Sequence, residues 1–373
     1  MIKIAHILHS VGGVDVSLRL ITENINQDKF ENIIIHGHKD TQCEFLDRKN
    51  KSIRSYKTSI YREISFFKDV NSIIKTYKIL KNEKPNLIHA HSAKGGIIGR
   101  IMGFLLNINV LYTPQAFSFL STENRLKRKI YILLEKVFTN KFSYLLASSN
   151  SERSRGIENK IFKKEKTLLF NNSIRDILEI EPLSIPKTWP DEYICTVGRP
   201  SYQKNIELMI DVLNEINKYK SVHLVVMGVG FHSDKLDVVK SKILKYNLSS
   251  KVTLIEWTQR TDIFNIIKQS KLYISTARYE GLPYSIIESL ALSTPCIVTN
   301  SDGNKDLIKD GYNGYVIKNE NIVDFKDKIL HLLNNEQERE VFSKNSRKEF
   351  LEKYNIEKNI KNLENIYTEF SIK

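Results

Sequence analysis

Residues Tyr193–Ile216, YICTVGRPSYQKNIELMIDVLNEI, hold the unit from which the rest of the chain can be read. An apolar run over Tyr193–Val197 reads as a strand and ends in Gly198-Arg199-Pro200. Lys204 then stands just before a helical pattern over Ile206–Ile216. The same alternation fills the second half, with strands expected at His223–Met227, Val252–Ile255, Leu272–Ser275, Cys296–Thr299 and Gly314–Ile317. In the first half the expected strands are Ile2–Leu8, Asn32–Gly37, Leu87–His91, Val110–Pro114, Tyr144–Ser149 and Thr167–Phe170. Between them lie amphipathic stretches such as Phe66–Glu83, where Val70, Ile73, Ile74, Tyr77 and Leu80 line one helical face. Strands alternating with helices imply parallel sheets covered on both faces, here twice over.

Pro182, Pro186 and Pro190 punctuate an aperiodic segment between the two series of strands, which reads as a linker over residues 181–191. The expected domains are therefore 1–180 and 192–355, with a last helix over 356–373 packing back on the first. A chain of 373 residues is long enough for two full cores. Apolar residues make up 41% and charged residues 27%, which excludes a disordered chain. The three cysteines, Cys43, Cys195 and Cys296, lack metal-site or redox spacing; a reducing compartment fits and a thiol mechanism does not. Met1–Leu8 lacks the basic region and long apolar run of a secretory signal, and no later run approaches the roughly 20 apolar residues a membrane span needs, so neither is expected. The expected location is the cytoplasm.

Two motifs carry chemistry. Gly198 at a strand end lets the backbone pass close to a ligand, and Arg199 and Lys204 at a helix entrance suit a diphosphate. The same residues would also serve an ordinary strand-to-helix turn. In Glu280-Gly281-Leu282-Pro283-Tyr284-Ser285-Ile286-Ile287-Glu288, Pro283 suits the first turn of a helix, whose free amides then favour an anion. Glu288 lies about 7.5 Å further along that helix. Two carboxylates flanking an anion site can accept hydrogen bonds from hydroxyls on either side of a diphosphate. Taken singly, each Glu reads better as a surface charge, Glu280 in a loop and Glu288 on an exposed helix face.

Together with Gly228-x-Gly230, Asp262 and Pro295-Cys296-Ile297-Val298, these motifs resemble the retaining GT-B glycosyltransferases of family GT4, the glycosyl transferases group 1. The resemblance covers most of the chain. It implies two Rossmann-like domains with parallel sheets facing across a cleft, the first on the acceptor side and the second binding a nucleotide sugar. It implies that Arg199 and Lys204 bind the donor's diphosphate, Glu280 its hexose and Glu288 its ribose, with Gly198, Gly281, Leu282, Pro283, Tyr284 and Ser285 around them. In the first half, Gly12-Gly13 resembles the family's glycine loop beside donor and acceptor, so that Gly13 joins the expected site; an ordinary turn reads the same. His89-Ala90-His91-Ser92-x-Lys94-Gly95 resembles a strand and loop of polysaccharide-assembling members; either His also reads as a core residue at a strand end, the reading favoured for His89, while His91, nearer the loop, is the catalytic candidate.

One departure stands out. Relatives often have Thr-Pro-His-Ala-Phe where this chain has Thr113-Pro114-Gln115-Ala116-Phe117. Gln115 can still hydrogen-bond a donor sugar but cannot act as an acid or base near neutral pH. The resemblance does not require one, since the leaving diphosphate is thought to take the acceptor's proton. The Asp-x-Asp metal motif is absent, so no cofactor and no metal are expected.

The formal net charge of +14 arises within residues 1–172, while residues 173–373 are balanced. Such a field attracts an anionic surface through that half. Arg125–Leu134, after Phe117, Phe119 and Leu120, could lie on an anionic bilayer, or pack on the sheet with its cations outward. The expected activity is transfer of a hexose or N-acetylhexosamine, from a UDP-sugar rather than GDP-mannose, to a lipid-linked glycan in surface-polysaccharide assembly. A non-hydrolysing 2-epimerase would need acid and base carboxylates that this set does not supply. A nucleic-acid binder, which the pI of about 9.4 invites, would need a basic and aromatic module that the chain lacks.

Overall fold

The computed structural model describes residues 1–61, 65–230, 233–318 and 320–372. They form two compact units, residues 1–175 with 355–373, and residues 176–354.

The first unit holds seven parallel strands: β1 (Ile2–Ile7), β2 (Phe30–Gly37), β3 (Ser55–Thr58), β4 (Leu87–His91), β5 (Val110–Thr113), β6 (Ser143–Ala147) and β7 (Thr167–Leu169). Their order is β3-β2-β1-β4-β5-β6-β7. The helices between them are α1 (Gly13–Thr22), α2 (Phe66–Glu83), α3 (Ser92–Leu106), α4 (Arg125–Phe138) and α5 (Asn150–Glu158). One side chain set of the sheet, including Ile4, Phe30, Leu87 and Leu111, packs on the last helix of the chain. The opposite set, including Ile7, Ile35, Ile88 and Val110, packs under α2 and α3.

Helix α3 sits unusually close to the strands because it is built on glycine. A Cβ on Gly96 would stand 2.1 Å from the Tyr112 ring, and one on Gly99 would stand 2.5 Å from Ala90 Cβ. The helix starts at Ser92, so Ser92-x-Lys94-Gly95 is its first turn and not the loop expected from the sequence. Helix α4 is fixed by a buried ion pair. Arg100 on α3 donates to Glu135 on α4 at 2.8 Å, and Tyr112 O–H donates to the other Glu135 oxygen at 3.0 Å. The Arg100 side chain is fully buried. Such a pair sets orientation more surely than it adds stability.

The second unit holds six parallel strands: β8 (Ile194–Val197), β9 (Leu224–Met227), β10 (Val252–Ile255), β11 (Leu272–Ser275), β12 (Cys296–Thr299) and β13 (Gly314–Ile317), in the order β10-β9-β8-β11-β12-β13. Its helices are α6 (Ile206–Asn217), α7 (Leu236–Lys245), α8 (Arg260–Gln269), α9 (Tyr284–Ala291), α10 (Asn304–Leu307), α11 (Ile322–Asn334) and α12 (Glu336–Lys353). Helix α13 (Ile356–Ser371) returns to the first unit and buries Ile360, Leu363 and Tyr367 there.

The unit boundaries differ from those read in the sequence. The chain passes between units at 175/176, not after 180, and returns at 354/355. Residues 181–191 are part of the second unit: Ser184 donates to Asp262 through both its N–H and its hydroxyl, each at 2.7 Å. Prolines remove periodicity, but here they do not free the segment. Strand β3 was not foreseen, because Ser55–Thr58 is a short edge strand with only Thr58 buried.

Candidate functional site

In a parallel sheet, binding groups collect where strands end and helices begin. In the second unit two such places are joined. Strand β8 stops at Gly198, and a Cβ there would meet the Lys204 side chain at 3.0–3.4 Å, so glycine gives Lys204 room to fold back beside the strand end. Lys204 Nζ lies 2.7 Å from Glu280 Oε1. Gln203 Nε2 donates to the other Glu280 oxygen at 3.1 Å. Glu280 is buried, while the Lys204 side chain keeps 24% exposure and can turn a proton toward an added anion.

Backbone contacts hold this pair. Thr276 Oγ1 donates to the Asn205 carbonyl at 2.9 Å, and Arg278 N–H donates to the Gln203 carbonyl at 2.8 Å. Tyr273, buried on β11, takes the Val197 N–H at 3.3 Å and donates to Ser285 Oγ at 2.8 Å, linking the end of β8 to the first turn of α9. Helix α9 begins at Tyr284, so Pro283 is its N-cap and not its first helical residue; its ψ of 124° is extended, not helical. Gly281, Leu282 and Pro283 thus form a short bridge from Glu280 to the positive end of a helix. Arg199 is half-buried in the turn after Gly198.

Glu288, on α9, has a partner that the sequence did not disclose. Arg260, the first residue of α8, reaches it with Nη2 2.5 Å from Oε1. Burial pushes the Glu288 carboxyl above its ordinary range, and Arg260, with Lys204 further off, offsets part of that rise. The Arg260 side chain stays 38% exposed. Asp262, two residues on, is structural: fully buried, it takes Ser184 and the Thr258 hydroxyl.

The first unit presents the other expected residues. Gly13 opens α1 behind Gly12, whose φ is +60°. The loop in front of it is held by Asp40, whose carboxylate accepts from Ser10 N–H at 2.6 Å and Gly37 N–H at 2.8 Å, with His9 Nδ1 at 2.6 Å. Burial alone would raise the Asp40 carboxyl, but His9 and the two amides win and hold it below its ordinary range. Gln115 and Ala116 adopt φ of +53° and +79° in succession. Non-glycine residues seldom do so, and the loop is kept there by Glu152, which accepts from the Ala116 N–H at 2.7 Å and from Ser148. The Gln115 Nε2 is buried without a hydrogen-bond partner.

His91 departs from expectation. It ends β4 fully buried, not at the edge of a loop, and stands with His6 and His89, one ring nitrogen of each lying within 4.8 Å of the others. The hydrogen bonds fix the tautomers. Thr113 Oγ1 donates to the Leu146 carbonyl and so accepts from His89 Nε2 at 2.9 Å, leaving His89 Nδ1 to accept from Tyr367 O–H at 2.6 Å. His6 Nε2 donates to Asn32 Oδ1 at 3.1 Å, so His6 Nδ1 accepts from His91 Nε2 at 3.1 Å. Only His91 Nδ1 is left without a partner in this chain of bonds. The cluster has metal-like spacing, yet its lone pairs are largely spent on hydrogen bonds. It is a neutral hydrogen-bonded network in the core of the first unit, and His91 is buried within it.

Residues 181–349 match the family model described as glycosyl transferases group 1, and residues 11–175 match that described as glycosyltransferase family 4. This chain is a glycosyltransferase of that family. It is 28% identical over 389 residues to an Escherichia coli UDP-Gal:alpha-D-GlcNAc-diphosphoundecaprenol alpha-1,3-galactosyltransferase, covering 100% of this chain and 98% of that one. It is 25% identical to the Staphylococcus aureus capsular polysaccharide biosynthesis glycosyltransferase CapM, covering 88% and 93%. In fold it superposes on Anabaena HepE, solved with UDP and glucose, with a TM-score of 0.81 at 16% identity, covering 99% of this chain and all of that one. The glycosyltransferase thus has the GT-B architecture of two Rossmann-like α/β units.

The structure brings Gly198, Lys204, Glu280 and the start of α9 together in this glycosyltransferase, and leaves His91 in the core. Arg260 and Gln203 escaped the sequence reading. A cation opening a helix ahead of β11 was the available signal for Arg260, but nothing in the spacing showed that it would meet Glu288.

Proposed function

We propose that this glycosyltransferase moves a hexose or N-acetylhexosamine from a UDP-sugar to a lipid-linked glycan in surface-polysaccharide assembly, with retention of configuration and without a metal, at the cytoplasmic face of a membrane. The observation that carries the donor half is the cluster at the end of β8, where Lys204 is shared between Glu280 and solvent beside the positive end of α9. In this reading Arg199 and Lys204 face the diphosphate. They stabilise the charge that develops as the sugar–phosphate bond breaks. Glu280 accepts from sugar hydroxyls, and Glu288 from the ribose.

UDP as the nucleotide and a lipid-linked acceptor are supported by the name of the E. coli relative, which acts on a diphosphoundecaprenol-linked sugar. Retention rests on the family resemblance. Independence from metal rests on cations doing the work of a metal at the leaving group. Membrane contact is supported by the charge excess of residues 1–172 and by the acceptor's class; among the described residues no helix is long and apolar enough to cross a membrane.

A panel of UDP- and GDP-sugars should yield at least one that raises the melting temperature at millimolar concentration. If none does, the donor reading fails. The anomeric configuration of the product, read by NMR, tests retention. Unchanged turnover after exhaustive chelation tests the metal-free reading.

A further inference from the structure

Helix α4 carries an apolar stripe on its solvent face. Leu126, Ile130, Leu133 and Val137 recur at spacings of four, three and four, which places them along one line, and each is between 47% and 68% exposed. A helix that merely covers a sheet turns such a stripe inward. Here it cannot, because the buried Arg100–Glu135 pair holds the opposite face of α4 against the core. At about 100° per residue, Arg125, Lys129 and Lys136 run along one margin of the stripe and Lys127 along the other. The only carboxylate on the helix, Glu135, points inward.

Helix α2 repeats the device. Phe67, Val70 and Ile74 are 84%, 40% and 50% exposed, with Lys75, Lys78 and Lys81 on the same helix also at the surface. Helix α3 packs against both α2 and α4, and Tyr112 on β5 meets Gly96 of α3 and Glu135 of α4, so the two helices that carry the stripes cover the same face of the sheet.

We propose that the outward faces of α4 and α2 form a docking surface for an anionic lipid bilayer, with the apolar stripes inserted at the level of the acyl boundary and the flanking cations among the headgroups. This deepens the membrane part of the proposed function and rests on that reading for its purpose, though not for its geometry. Charge complementarity selects the occupant. A second copy of this chain would bring like charges together along both margins of the stripe. A nucleic acid would satisfy the cations but leave the stripes facing water. An anionic bilayer satisfies both, and an apolar stripe edged by Lys and Arg is the pattern of a helix lying in an interface.

The test is co-sedimentation of the full chain with phosphatidylcholine vesicles, with and without phosphatidylglycerol, over a salt series. Binding is expected only with phosphatidylglycerol and should weaken as salt rises. Leu126→Ser with Leu133→Ser should lower vesicle affinity on the order of a hundredfold, since two exposed leucines no longer leave water. The melting temperature and the thermal shift with a nucleotide sugar should not change. Lys127→Glu with Lys129→Glu should abolish the preference for the anionic lipid.

Failure of the unmodified chain to bind anionic vesicles overturns the proposal. So does a Leu126→Ser, Leu133→Ser variant that sediments as well as the parent, or one whose only change is a smaller oligomer by size exclusion. Salt-sensitive retention of nucleic acid without vesicle binding would overturn it in favour of the other anion. If vesicles bind but no nucleotide sugar stabilises the chain, the docking surface stands and the donor reading falls.

Discussion

Glu280 and Glu288 sit eight residues apart on one strand-to-helix connection, yet their neighbours give them different work. Glu280 is held by Lys204 and Gln203 at the end of β8; Glu288 is held by Arg260 from α8. Glu280→Ala should therefore abolish transfer while leaving UDP affinity largely intact, and Glu288→Ala should weaken UDP itself. Titration calorimetry with UDP, beside a transfer assay, separates the two, and equal losses of both quantities would contradict the assignment. Arg260 is a positioning residue for Glu288. Burial already raises the Glu288 carboxyl, with Arg260 and Lys204 the cations that oppose this. Removing Arg260 raises the carboxyl further, so its ionised form is lost at a higher pH. In Arg260→Met the acidic limb of UDP affinity should move to higher pH, and Arg260→Lys should restore it. Superimposable pH profiles for parent and Arg260→Met would remove Arg260 from the site.

At the scale of elements, the Arg100–Glu135–Tyr112 group is the joint between α3, α4 and the sheet. Glu135→Ala leaves the Arg100 guanidinium buried without a counter-charge, which should cost about 3–5 kcal/mol in urea unfolding of the first unit. A cost below about 1 kcal/mol would show the charge reaching water, and α4 lying more loosely than described. This joint also shows why some elements were legible and others not. Strands such as Leu272–Ser275 and Cys296–Thr299 are buried along their whole length, so an unbroken apolar run marks them. Ser55–Thr58 lies at the sheet edge and gives no such run. Of the two charged helices in the tail, α12 belongs to the second unit and α13 to the first. The Gly198, Lys204 and Glu280 cluster was foreseeable because a strand end and a helix start recur at fixed positions in a doubly wound sheet. Arg260 and the burial of His91 were not, because each depends on which helix lies over which strand.

For the whole molecule, acid should act on the two units unequally. The first unit buries His6, His89 and His91, all neutral in the hydrogen-bond network. Burial lowers His6 to about 4, with its bond to Asn32 offsetting part of the fall, and lowers His89 and His91 well below their ordinary value. In the unfolded chain each titrates near 6.5, so between that pH and about 4 the unfolded state binds more protons than the folded state. The stabilisation is whole above about pH 6.5 and is lost as the pH falls through that window, on the order of 3 kcal/mol from His6 alone. In the second unit His223 is also lowered by burial, with a backbone hydrogen bond at Ser250 offsetting part of the fall. Asp40 and Asp262, held below their ordinary range, add losses only at lower pH, below about 4. Peptide-resolved hydrogen exchange, corrected for intrinsic rates, should show β1, β4 and α13 losing protection between pH 7 and pH 4.5 while β8 and β11 keep theirs. Uniform loss across both units would mean that the histidine network is not the acid-labile element. His6→Asn should narrow the difference between the units, since the buried group that gains a proton on unfolding is gone.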